Sequence, residues 1–112
     1  MVYDRTVAQH YKEQGFQIKF NNDATLKAGI DLICEKDGKS LLIKCDDGVL
    51  FKPRAELLEK FATAAKAYVK TNPAPFEGKQ IKIVYATNYD GFYDDSIKDR
   101  AVDIGIIYQK IA

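Results

Sequence analysis

The sequence is poor in cysteine and histidine, has no long apolar run and carries no excess of charge of one sign. Its two cysteines and single histidine are widely spaced, which excludes a zinc-binding pattern. No apolar stretch approaches the ~20 residues that cross a bilayer, and the polar N-terminus is unlike a signal peptide. The formal net charge is +1. Any site for a polyanion must therefore come from local clusters of Lys and Arg.

Cys34 and Cys45 lie in two neighbouring apolar runs that are joined by a turn at residues 36–39. A hairpin about this turn pairs Cys34 with a residue near position 41 instead of Cys45, so no disulfide is expected. Reduced, buried thiols are typical of the cytosol, and we predict a cytoplasmic location.

The pattern of apolar residues in this 112-residue chain predicts one domain, residues 1–112, with the order α-β-β-β-α-β-α-β. The first helix runs from about Asp4 to Gln14, residues 21–23 form a turn, Pro53 lies in the first turn of the second helix, and Asp94 or Asp95 caps the third. Strands are predicted at residues 16–20, 29–34, 40–45, 81–86 and 106–108. The hairpin followed by helical crossovers predicts an α/β fold, with a mixed β-sheet and helices on both of its faces.

Charged residues stand inside the two apolar runs of the hairpin, where they need partners. Lys44 and Asp46 share a face because side chains alternate along a strand, and the hairpin brings Asp31 alongside them. Asp4 could join this cluster from the opening helix, or it could be no more than the N-cap of that helix. Carboxylates beside a lysine favour metal-assisted hydrolysis of phosphodiesters. In that chemistry the acids hold Mg²⁺, and the lysine orients water or offsets developing charge.

The segment GIDLICEKDGKSLLIKCDD resembles the core of the PD-(D/E)xK nucleases, especially Mrr-type restriction endonucleases and archaeal Holliday-junction resolvases. In those families an Asp ends one strand, and the next strand carries an acid or Gln, one residue, then Lys. Asp31 stands at the first position, Lys44 at the acid or Gln position and Asp46 at the Lys position. Asp4, well before Gly15, is similar to the acid on the family's opening helix. The resemblance implies a restriction-endonuclease-like fold, a catalytic set of these four residues, Mg²⁺ as cofactor and DNA as partner.

The charge order Lys44-Cys45-Asp46 is the reverse of the family's, and it leaves two outcomes open. In one, Asp31 and Asp46 bind the metal with help from the Cys45 carbonyl, and Lys44 acts as the catalytic lysine from a neighbouring position. In the other, Lys44 forms salt bridges with Asp31 and Asp46 and leaves a structural remnant of a nuclease site. The second outcome is favoured, because metal ligands tolerate little displacement.

The expected function is that of a nuclease-like domain acting on DNA. It is either a divergent Mg²⁺-dependent endonuclease, hence a metal-dependent phosphodiesterase, or a catalytically impaired relative that binds DNA. Lys52 and Arg54, just past the predicted site, could contact phosphates, although a solvated surface of the second helix is the favoured interpretation. The non-enzymatic alternative is an interaction or assembly module that reuses the fold. A homodimer or a partner subunit is compatible with so small a domain, and no membrane is expected.

Overall fold

A computed structural model describes residues 2–49, 52–89 and 95–112 of the chain. The described elements are α1 (Val2–Glu13), β1 (Gln17–Phe20), α2 (Asp23–Lys27), β2 (Leu32–Lys36), β3 (Lys39–Asp46), α3 (Ala55–Thr71), one turn of 3-10 helix at Ala74–Phe76, β4 (Gln80–Thr87), α4 (Asp95–Asp103) and β5 (Ile107–Lys110). The predicted strands and the three long helices are all present, with boundaries shifted by a few residues.

The five strands form one mixed sheet in the order β1-β2-β3-β4-β5. Strand β2 is antiparallel to both of its neighbours, β1 and β3, whereas β4 is parallel to both β3 and β5. The hairpin turn uses Asp37 and Gly38 at φ values of 49° and 75°, as a tight two-residue turn requires. Cys34 faces Leu41 across the hairpin, which confirms the predicted register.

Helices cover both faces of the sheet, which confirms the predicted α/β class. Parallel strands that are neighbours in both sequence and space need right-handed crossovers, and these carry α3 and α4 to the same face. The opposite face packs against α1 through its buried side chains, which include Tyr3, Val7 and Tyr11. The sheet is therefore buried from two sides, and this explains the nearly continuous apolar character of β3.

Two local predictions were wrong. Residues 21–23 are more than a turn, since Asn22 caps the short helix α2 and exchanges side-chain hydrogen bonds with Thr25 in a capping box. Pro53 lies outside α3 instead of in its first turn. Arg54, in the extended conformation, is the N-cap residue and the helix begins at Ala55.

Both cysteines are free and buried, as predicted. Asp95 is the first residue of α4 and therefore not its N-cap, and Asp94, the other predicted cap, lies outside the described residues. None of the helices within the described ranges is long and apolar enough to cross a membrane.

Candidate functional site at the end of β3

The predicted cluster lies where β3 reaches its carboxyl end. Asp31 directly precedes β2, and its backbone N–H donates a 2.8 Å hydrogen bond to the carbonyl of Ile43, so it stands beside the last residues of β3. Lys44 and Asp46 lie on β3 and share a face, as alternation along the strand requires. The tertiary structure thus brings to one end of β3 three positions that are up to fifteen residues apart in sequence.

Asp31 is held by the backbone of β3. Its Oδ2 accepts a 2.7 Å hydrogen bond from the N–H of Cys45. Burial raises the pKa of Asp31, the hydrogen bond from Cys45 opposes that rise, and the nearby carboxylate of Asp4 adds to it. The carboxylate is therefore positioned by the main chain in surroundings that disfavour its negative charge.

Asp4 lies within α1, which begins at Val2, so it is not the N-cap that the sequence also allowed. Its Oδ1 is buried and has no hydrogen-bond partner among the described residues. Burial raises the pKa of the Asp4 carboxyl, and repulsion from Asp46 acts in the same direction. An orphaned carboxylate oxygen beside a second acid is an arrangement that a proton or a cation would stabilise.

One group of potential metal ligands stands out among the described residues. Asp4, Asp31 and Cys45 each offer one ligand atom, these atoms lie within 4.8 Å of one another, and Asp46 is not a member of this group. The sequence predicted Asp31 and Asp46 as the metal ligands, with help from the backbone carbonyl of Cys45 and not from its thiol. The missed signal is the alternation of β3, which turns the Cys45 side chain toward α1 and away from the face that carries Lys44 and Asp46.

The Cys45 thiol is 1% exposed and packs in the core between α1 and the sheet. Burial raises its pKa, and the charge of Asp31 raises it further. The sulfur therefore stays protonated unless a cation displaces the proton. Because Mg²⁺ prefers oxygen ligands, the two carboxylates are the part of this group that suits it.

Lys44 and Asp46 form a separate pair on the other face of β3. Lys44 Nζ lies 3.6 Å from Oδ1 of Asp46, with side-chain exposures of 25% and 11%. The hydroxyl of Tyr85 on β4 donates a 2.6 Å hydrogen bond to Oδ2 of the same carboxylate. Lys44 makes no ion pair with Asp31, although both belong to the described part of the chain. Of the two salt bridges expected for Lys44, the structure contains the one to Asp46.

The Lys44 side chain lines a groove between α2 and α3, together with Gly29, Lys60 and Phe61. A Cβ atom built on Gly29 would lie 4.0 Å from Nζ of Lys44, so a larger residue at this position would narrow the groove beside the ammonium. The sequence did not predict α2, and it therefore did not predict this groove beside Lys44.

Lys52 and Arg54 lie in the segment that joins β3 to α3, and both are exposed. Neither forms an ion pair with another residue in the described ranges.

Fold and site together define an α/β protein with a mixed five-stranded sheet and a half-buried carboxylate pair at the end of its central strand. Among solved structures, the crystal structure of a protein of unknown function, AF1548, is similar to this chain, with a TM-score of 0.63 and 20% sequence identity. The similarity covers 98% of this chain and 58% of AF1548, so the chain spans less than two thirds of that neighbour. No protein-family model matches the chain, and no curated protein does. At this identity the likeness is one of fold.

Proposed function

We propose that this chain is a nuclease-like domain that acts on DNA and hydrolyses phosphodiester bonds with the help of a divalent cation. The observation that carries the proposal is the approach of the Asp4 and Asp31 carboxylates, one of which has a buried oxygen without a partner. Burial raises the pKa of both Asp4 and Asp31. Keeping both carboxylates charged therefore costs free energy unless a cation compensates their charge.

The residues present fit Mg²⁺ or Mn²⁺. Asp4 and Asp31 supply carboxylate oxygens, and the orphaned Oδ1 of Asp4 is free to act as a ligand. Asp46 fits the role of ligand less well, since Tyr85 and Lys44 already engage both of its oxygens. When bound, the cation supplies positive charge that polarises the phosphate.

The other residues have roles that do not depend on the cation. The Cys45 N–H fixes the orientation of Asp31. Asp46 holds the Lys44 ammonium on the opposite side of β3 from Cys45, so the reversed charge order does not place an ammonium between Asp4 and Asp31. The Lys44 charge still acts on both carboxylates, since burial raises the pKa of Asp4 and of Asp31 and Lys44 opposes that rise. We expect the same charge to offset negative charge that develops on a phosphate held beside them.

DNA is proposed as the substrate because the positions of Asp31, Lys44 and Asp46 on the hairpin resemble those of the PD-(D/E)xK motif, with the charges at positions 44 and 46 exchanged. Exposed Lys52 and Arg54 supply cationic side chains on the segment that follows β3. The mixed sheet and the opening helix carrying Asp4 are consistent with that resemblance.

A second candidate function is a non-enzymatic interaction or assembly module, and one observation favours it. The Tyr85, Asp46 and Lys44 side chains satisfy one another in a largely buried network, as a structural remnant of a nuclease site would. In this case the network stabilises the end of the sheet and no phosphate is bound.

Cleavage and cation binding should be measured separately. The proposal expects nicking of supercoiled plasmid DNA with Mg²⁺ or Mn²⁺, loss of nicking in EDTA, and loss in Asp31→Asn. The matched control is Asp103→Asn, which removes an acid from the exposed end of α4. Millimolar Mn²⁺ should also raise the melting temperature of the wild type and leave that of Asp31→Asn unchanged.

Three outcomes separate the candidates. Cation-dependent nicking supports an endonuclease. A cation-induced shift with salt-sensitive DNA binding and no nicking supports an impaired relative. The absence of both DNA binding and a cation effect contradicts the proposal and leaves the interaction module.

A further inference from the structure

The groove between α1 and the edge strand β1 differs from the carboxylate site in its chemistry. One wall is the exposed stripe of α1 that carries Arg5 and Lys12, and the other is formed by Phe16 and Phe20 of the chain that returns along it. Its volume is about 720 Å³, within the range of about 300–1,000 Å³ that is usual for ligand sites. Cationic and aromatic side chains therefore face each other across an open recess.

The cationic wall is available to a ligand. Arg5 and Lys12 form no ion pairs within the described parts of the chain, whereas Lys19, on the rim, is paired with Glu35 at 2.6 Å. None of the described residues that line the groove is Asp or Glu. Arg5 and Lys12 are seven positions apart in a helix, so they follow the groove over ~10 Å.

The aromatic wall is suited to stacking. Phe20 is 58% exposed, so its ring can accept a flat partner without rearrangement of the core. Phe16 is half-buried at the other end of the groove, where its ring meets the edge of Tyr11 at a centroid distance of 5.5 Å. Exposed aromatic rings opposite a row of cations are typical of surfaces that bind single-stranded nucleic acid.

The groove ends beside the candidate site. Arg5 follows Asp4 in α1, and Phe20 pairs across the sheet with Leu32, the residue after Asp31. A strand that lies in the groove would therefore reach the carboxylate pair with one of its ends. A duplex would not fit this chemistry, because a base can stack on Phe20 only where it is unpaired.

We propose that the α1–β1 groove binds single-stranded DNA, with phosphates on Arg5 and Lys12 and a base stacked on Phe20. The inference deepens the proposed function, since it names the form of DNA that is led to the site and rests on that function for its biological purpose. According to this proposal, neither a paired duplex nor an acidic peptide is the main ligand of the groove.

Binding is measured by fluorescence anisotropy in EDTA, so that cleavage cannot interfere, with a labelled oligothymidylate as the probe. The double variant Arg5→Ala/Lys12→Ala should weaken binding at least tenfold. It should also make the slope of log K against log salt less steep by about 1.4, because each phosphate that is no longer neutralised changes the slope by about 0.7. The matched control Lys66→Ala/Lys70→Ala removes two exposed charges from α3, on the opposite face of the sheet, and should change affinity by less than twofold.

Stacking is tested at one exposed position. Phe20→Ala should weaken oligothymidylate binding roughly tenfold, and Phe20→Tyr should restore it, because any aromatic ring can stack. Since Phe20 is largely exposed, both variants should keep the wild-type melting temperature, and circular dichroism checks this.

Four results overturn the inference: no binding of the oligonucleotide by the wild type, equal loss in the α3 control, equal affinity for a duplex of the same length, or equal competition by polyglutamate. These results are distinguishable from failure of the proposed function. Suppose that nicking depends on metal and on Asp31 while the groove variants bind the oligonucleotide normally. This result would refute DNA binding in the α1–β1 groove and leave the proposed hydrolysis supported. Loss of binding in the groove variants without any nicking would leave the groove supported and refute the hydrolysis.

Discussion

The hydroxyl of Tyr85 donates a 2.6 Å hydrogen bond to Oδ2 of Asp46. Both residues are buried. Burial is the larger cause that raises the pKa of Tyr85, and the hydrogen bond to Asp46 raises it further. Tyr85→Phe should lower the free energy of unfolding by ~1.5–3 kcal/mol, the usual contribution of a hydrogen bond to a charged group. Urea denaturation measures the change. Tyr68→Phe, which removes a hydroxyl from a half-buried ring on α3, is the control. A loss no larger than that of Tyr68→Phe would show that Asp46 does not depend on Tyr85.

Lys44 should be coupled energetically to Asp46 more strongly than to Asp31. The structure pairs Nζ of Lys44 with Asp46 at 3.6 Å and forms no such pair with Asp31. In double-mutant cycles, Lys44→Met with Asp46→Asn should show a coupling energy of at least ~0.5 kcal/mol, whereas Lys44→Met with Asp31→Asn should show less. Both cycles use urea denaturation at pH 7. Equal coupling in the two cycles would contradict the pairing.

Asp4→Asn should stabilise the fold at neutral pH in the absence of divalent cations. Burial raises the pKa of Asp4 above its ordinary value of 3.8, so the folded state binds the proton more tightly than the unfolded state does. The contribution of Asp4 to stability is therefore most favourable below pH 3.8, and it falls as pH rises through the higher folded-state pKa. The stability of Asp4→Asn relative to the wild type should therefore increase as pH rises through the same range.

The measurement is the melting temperature of wild type and variant between pH 3 and pH 8, in EDTA. Asp23→Asn, which removes an exposed acid from the first turn of α2, controls for the loss of a charge at a helix N-terminus. A variant that is less stable than the wild type at every pH would mean that the helix dipole outweighs desolvation at Asp4.

The double variant Lys44→Glu/Asp46→Lys restores the charge order of the nuclease families that the sequence resembles. We expect at least tenfold faster Mg²⁺-dependent nicking than in the wild type, because an acid then stands at position 44 and a lysine at position 46, where the resemblance implies a metal ligand and the catalytic lysine. The same change in the background of Asp31→Asn should remain inactive. A folded double variant that nicks no faster than the wild type would show that the charge order is not what limits activity.

The hairpin and its register could be predicted because their determinants are local. Asp37 and Gly38 adopt the positive φ values of a two-residue turn, and such a turn fixes which residues face each other. The short helix α2 was missed although Asn22 and Thr25 have the spacing of a capping box, because five residues carry too little periodicity to indicate a helix.

The candidate site was only partly predictable. Alternation along β3 correctly placed Lys44 and Asp46 on one face, and the hairpin brought Asp31 to the same end of the sheet. The position of the Asp4 oxygen, the inward Cys45 thiol and the hydroxyl of Tyr85 depend on how α1 and β4 pack against β3, which no local pattern encodes.

The sequence by itself determined the element order, the hairpin and the presence of charges inside apolar strands, because these follow from backbone geometry and from the period of the side chains. The tertiary structure alone decided which charges are partners. Lys44 forms its ion pair with Asp46, and the buried Oδ1 of Asp4 lies near Asp31 without a hydrogen-bond donor among the described residues. The physical reason is that hydrogen bonds and ion pairs act over a few ångströms, and only packing brings distant residues that close.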